Sequence, residues 1–196
     1  MSKTSPIFSC MRLTLLVSAL ACTVAFADDY TPVTTLLRSG QLDNAMAKAD
    51  EYLVKNPRDP QMQFLRALIQ QDGGKQAAAI ASYTKLIEAY PELPEPYNNI
   101  AVLYAAQGQY DRARSSLEMA TRTNRSYGTA HENLGDVYAR LATQSYIQAQ
   151  QLEPGNTTIA PKLALIRQLI SNPTSARSAV PTDRTRPATP AASSAQ

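Results

Sequence analysis

Small and large apolar residues recur along this chain with a long period. Ala45, Ala79 and Ala113 stand 34 residues apart, and each is followed by an aliphatic or aromatic helical face. Twelve residues beyond each alanine come Pro57, Pro91 and Arg125. A period of this length with a small residue at one fixed place is the signature of stacked helical hairpins. Each hairpin is too small to bury its own apolar face, and stacking on a neighbour buries it. Gly40 and Gly108 are placed to end first helices in a conformation that costs glycine least. Pro57 and Pro91 stop second helices, because proline lacks the donor and clashes with the preceding turn. Pro94 and Pro96 fall in the first turn of the next helix, where a missing donor costs nothing.

The fourth unit departs from the period. Its second-helix positions, counted back from Pro154, are Ala149, Tyr146 and Ala142, so Ala113 to Ala142 spans 29 residues instead of 34. The five missing residues are those of the turn. No Gly, Pro, Asn or Asp occurs between Asp136 and Pro154. Leu134, Tyr138, Leu141, Ala142, Ser145, Ala149 and Leu152 run down one helical stripe. The pattern predicts one long helix from about Tyr127 to Leu152; the alternative is a hairpin with a tight turn near Ala142-Thr143. A continuous helix would end the regular stack and project a new surface suited to self-association. Beyond it, Leu163, Ile166, Leu169 and Ile170 form the stripe of a capping helix over 158–170, with Thr157 or Thr158 as its N-cap.

The third unit reads Tyr97-x2-Ile100-Ala101-x2-Tyr104, then Gly108-x-Tyr110-x2-Ala113-x3-Leu117-x2-Ala120. The fourth opens His131-x2-Leu134-Gly135-x2-Tyr138, and the second carries Ala79-x3-Tyr83 and Pro91. The first is the weakest, with Gly40-x-Leu42-x2-Ala45-x3-Ala49 and Pro57. These spacings resemble the tetratricopeptide repeat, over roughly Tyr30 to Pro154. The resemblance implies an all-α fold, a right-handed superhelix of stacked hairpins with repeats at about 30–59, 60–93, 94–127 and 128–156. In such packing Ala101 and Gly135 are small because the second helix of the same hairpin crosses there, and Tyr104, Leu117 and Tyr138 fill the gaps between small residues.

The resemblance also implies where a partner binds. First helices of the family line a concave groove for an extended peptide or a partner's helix. Carried over by position, the groove residues are Phe64 and Leu68 in the second unit, Asn98, Val102, Ala105 and Ala106 in the third, and Glu132, Asp136 and Arg140 in the fourth. Asn99 and Asn133 stand on the groove wall, placed to hydrogen-bond a ligand backbone. Phe64 and Leu68 have an alternative place, buried against the weak first unit. Some family members clamp a terminal carboxylate with basic groove residues; that pattern is not repeated here. The expected ligand has an apolar anchor and a basic residue.

The ends change the compartment. Lys3 and Arg12, the apolar run Leu13 to Ala25 and the motif Ala25-Phe26-Ala27 read as an export signal over 1–27, with Met1 or Met11 as the start. The run is shorter than the about 20 residues a spanning helix needs. Cleavage after Ala27 would give a periplasmic chain beginning at Asp28. An uncleaved anchor and a lipid anchor at Cys22, after Ala19-Leu20-Ala21, are the alternatives. Cys10 and Cys22 both fall in the signal, so the mature chain has no thiol for a disulfide, a nucleophile or a metal. From 171 to 196 the chain is Pro, Ser, Thr, Ala and Arg, a composition expected to be disordered.

Without the signal the chain carries 17 basic and 16 acidic residues, and without the tail the balance is −1. No basic face for nucleic acid is implied. The single histidine, His131, sits where a large packing residue is expected, and no second ligand joins it for a metal. No catalytic site, metal or cofactor is expected. The sequence therefore points to a non-catalytic scaffold or adaptor of the bacterial cell envelope. A self-assembling structural protein and a lipid-anchored part of an outer-membrane assembly machine are the rival readings.

Overall fold

A computed structural model describes residues 29–171. The export signal and the C-terminal tail expected from the sequence lie outside the described residues. Those described form eight helices and no strand: α1 Tyr30–Arg38, α2 Leu42–Lys55, α3 Pro60–Asp72, α4 Gln76–Ala89, α5 Pro94–Ala106, α6 Tyr110–Thr123, α7 Gly128–Leu152 and α8 Ile159–Ser171. Consecutive helices pack on one another throughout, and α1 also touches α3 while α5 touches α7. The architecture is an α-solenoid of stacked hairpins.

Three hairpins turn in the same way. Gly40, Gly74 and Gly108 have φ of 73°, 72° and 73°. In each, the next residue's amide reaches back to the first helix: Gln41 to the Leu36 carbonyl, Lys75 to Gln70 and Gln109 to Tyr104, all at 2.9 Å. This pairing satisfies carbonyls that the helix end would leave bare, and its left-handed residue favours glycine. The turns between hairpins are equally regular. The carbonyls of Asn56, Tyr90, Asn124 and Glu153 each accept an amide three residues on. The first three are 34 residues apart, and the last follows after 29.

Two apolar clusters fill the stack. Val33, Leu37, Ala45, Ala49, Met62, Leu65, Leu68 and Ile69 form the first. The second runs from Ala67 and Ala79 through α5 and α6 to Ala130 and Val137. Phe64 touches both. The weak first unit is held by Asp59. Its carboxylate caps α3 by accepting the Met62 amide at 2.8 Å, and also accepts the hydroxyls of Tyr30 at 2.6 Å and Tyr52 at 3.2 Å. Burial and the carboxylate beside it push the Tyr30 hydroxyl's pKa well up.

The fourth unit is one helix, α7, 25 residues long. With no residue to reverse the chain, its second half continues in line. The expected packing roles of three residues change as a result. Gly135 has open space where a Cβ would stand, because no second helix crosses it. Tyr138 is 47% exposed, although its hydroxyl reaches Glu118 at 3.3 Å. His131 is exposed, and its Nε2 donates to the Arg125 carbonyl at 3.1 Å.

The cap is also looser than its stripe implied. Ile159 and Leu163 are buried against α7, whereas Leu169 is 63% exposed, because α8 has a neighbour on one side only. The turn before α8 is held by Asn156, whose Oδ1 accepts both the amide of Thr158 at 3.1 Å and its hydroxyl at 2.7 Å.

The glycines separate two physical roles. Gly135→Ala, in mid-helix with open space around it, is expected to raise stability by roughly 0.5–1 kcal/mol. Gly108→Ala, at positive φ, is expected to lower it by about 1 kcal/mol. Urea unfolding of the two variants measures both signs.

Candidate functional site

The first helices α3 and α5 and the N-terminal half of α7 carry the expected binding positions. The structure separates these into packed and open residues. Leu68 is 4% exposed and belongs to the first cluster, so it is not a groove residue. The cause is α1, which lies against α3 and brings Val33 and Leu37 onto it. Phe64 is half-buried, with its ring 5.8 Å from that of Tyr83.

The three asparagines are buried as well. Asn98 is fully enclosed, and its Oδ1 accepts the Asn133 amide at 2.8 Å. Asn98 in turn leans toward the Asn99 Oδ1 at 3.5 Å. Asn98, Asn99 and Asn133 therefore form a polar strut between α5 and α7 instead of an open groove wall. Such a strut fixes the register of the two helices, because a buried carboxamide without a partner costs about 1–3 kcal/mol. The period hinted at this pair, since the two residues are 35 apart on neighbouring first helices. Pattern alone did not show that the space between them closes.

One turn further along both helices the surface opens. Val102 and Ala105 are half-buried, and Ala106 is exposed. Val102 stands one turn after Asn98 on α5, and Asp136 about one turn after Asn133 on α7, the two residues that the strut joins. Glu132, Asp136 and Arg140 are exposed and share one face of α7 at four-residue spacing. The Arg140 guanidinium leans over the Tyr110 ring of α6, 5.8 Å from its centroid. Partial burial and the neighbouring Glu132 carboxylate push the Asp136 pKa up, and Arg140 only partly opposes them. The open site is thus a short apolar ledge on α5 beside an acidic pair on α7. Its width is one helix spacing, about 10 Å, so it takes about three extended residues.

Among the described residues no helix is long and apolar enough to cross a membrane. No group of three or more His, Cys, Asp or Glu among them is placed to hold a metal.

Two family models described as tetratricopeptide repeat match the chain, at residues 32–94 and 82–115. The photosystem I assembly protein Ycf3 of Cyanophora paradoxa is 32% identical over 126 residues, covering 57% of this chain and 66% of that protein. The small glutamine-rich tetratricopeptide repeat-containing protein 2 of Mycosarcoma maydis is 27% identical over 103 residues, covering 50% of this chain and 29% of that protein. The match thus spans just under two thirds of the first relative and less than a third of the second. Among solved structures, a thermophilic TPR protein of Thermus thermophilus superimposes with a TM-score of 0.55 at 25% identity, covering 77% of this chain and 86% of that one. Matched models, relatives and fold agree on one module, which serves protein–protein interaction. The chain is a tetratricopeptide repeat protein.

Proposed function

We propose that this protein is an exported, non-catalytic adaptor of the bacterial cell envelope that holds a short segment of a partner protein on the α5–α7 ledge. The observation that carries this reading is the acidic pair Glu132 and Asp136 beside the apolar Val102 and Ala106. Two carboxylates on adjacent turns repel each other when the site is empty. A basic side chain placed between them relieves that repulsion, while an apolar neighbour in the same segment covers the ledge. The ligand is therefore a peptide with one basic and one apolar residue close together. An adaptor role agrees with the assembly role named for the photosystem relative. The periplasmic address rests on the N-terminal pattern, and a mature N-terminus at Asp28 is its test.

A photocrosslinker at position 102 in living cells is expected to trap one dominant foreign protein. Ala106→Arg, on the same ledge and exposed, should abolish that capture while leaving the helical circular dichroism unchanged. Capture that survives this substitution would exclude the ledge.

The acidic pair sets the pH dependence. The raised Asp136 pKa means that ionisation disfavours the empty fold. That penalty is absent below the ordinary carboxylate range and fully present once pH passes the folded pKa. A bound cation reverses the preference, so binding releases a proton. Affinity for a basic peptide from the captured partner should rise with pH through the acidic range and then level off. Asp136→Asn should flatten that rise, as read by titration calorimetry at a series of pH values. An equal rise in the variant would remove Asp136 from the site.

A further inference from the structure

The fourth unit keeps both faces of a hairpin and closes neither. In the third unit Tyr97, Ala101 and Tyr104 of α5 are 8%, 0% and 7% exposed, packed in one cluster with Ala113, Leu117 and Ala120 of α6. One period later the first-helix positions are His131, Gly135 and Tyr138, and all three are exposed. The second-helix positions, counted back from the turn after α7, are Ala142, Tyr146 and Ala149. They are only half-buried, where their third-unit counterparts are 0%, 1% and 0% exposed. Two surfaces that normally meet are thus carried on a single rod. At 1.5 Å per residue, Gly135 and Tyr146 stand about 17 Å apart along it, so the helix cannot bring them together.

We propose that a second copy of this chain does so, the two α7 helices packing antiparallel about a two-fold axis. The six positions follow one another at spacings of 4, 3, 4, 4 and 3, which keeps them on one face of the helix. An antiparallel copy presents its second-half residues to the first half of this one, and the reverse holds by symmetry, as a self-complementary interface requires. Pairing as in the third unit sets His131 against Ala149, Gly135 against Tyr146 and Tyr138 against Ala142 of the second copy. Large meets small at every step, the condition for close helix approach.

The six positions hold no Lys, Arg, Asp or Glu, and the charges that border them are of both signs: Glu118 at the Tyr138 hydroxyl, 3.3 Å away, and Lys162 of α8, 6.0 Å from the Tyr146 ring centroid. The axis passes near Arg140, but that guanidinium is turned away to the Tyr110 ring, so the two arginines do not meet. The match is specific to this chain, because the residues that fill the slot are its own missing second helix. The pairing is independent of the α5–α7 ledge and does not need a ligand there.

Sedimentation equilibrium of the protein isolated from the cells that make it tests the proposal. The mass should double as concentration rises through the micromolar range. Gly135→Gln should be monomeric at concentrations where the unmodified protein is dimeric. That residue meets nothing in a single copy, so helical circular dichroism should be kept or raised. Gly135→Ala should still dimerise, because alanine already fits the same place at Ala101. A protein monomeric at every concentration would overturn the proposal, as it would if residues of the same chain filled the slot. So would dimers or larger assemblies that Gly135→Gln leaves intact, or equal loss of the dimer in both variants.

Discussion

Two helices can lie side by side only if the chain between them reverses direction, and only if small residues stand where the axes approach. Ala45, Ala79, Ala101, Ala113, Ala120 and Ala130 are all 0% exposed, so the helices close on them without gaps. The left-handed glycine turns at Gly40, Gly74 and Gly108 make each reversal possible. Crossing and turn act together. Where both are present a hairpin forms, and its apolar face is buried by the next one. Where the turn is missing, after Tyr138, the small residues remain but the helices never meet. α7 is the result, and the open face of the fourth unit follows from five absent residues.

Much of this is legible in the sequence. Alanine and glycine spacing locates three hairpins, and the absence of turn residues between Asp136 and Pro154 favours a rod over a fourth hairpin with a tight turn. Proline positions marked the starts and stops of helices, because their effect is local. What the pattern could not convey was the distance between neighbouring first helices. Leu68, Asn98, Asn99 and Asn133 sit at groove positions by phase, yet α1 closes over Leu68, and α5 and α7 enclose the three asparagines between them. Enclosure of that kind depends on superhelix tightness, a property of the whole stack. Gly135 departs from its expected packing role for the related reason that its meaning depends on a helix that runs elsewhere. Asp59 carries no signal in the pattern, since its cap and its two tyrosine partners, Tyr30 and Tyr52, are assembled from three helices.

The binding surface that remains is small and chemically mixed. Val102 and Ala106 offer apolar contact, and Glu132 and Asp136 offer charge that is poorly compensated in the empty state. The buried asparagine strut holds the two helices in register, so that the ledge is pre-formed and its affinity is not spent on ordering α5 against α7. A dimer through α7 would place two such ledges on one particle. Two weak sites on one rigid body bind a partner with repeated segments far more tightly than either alone. Fold by itself does not assign a role. The adaptor reading rests on the chemistry of that ledge.

The continuous α7 helix is the feature from which the open face, the proposed pairing and the end of the stack all follow. It is tested most directly by the distance between spin labels at exposed positions His131 and Gln150, in a chain with Cys10 and Cys22 replaced and diluted into excess unlabelled protein. Dilution leaves only distances within one copy. A continuous helix places the labelled backbones about 28 Å apart, from the rise of 1.5 Å per residue. A separation of about 10 Å, one helix spacing, would mean that the unit folds back as a hairpin and would contradict the account.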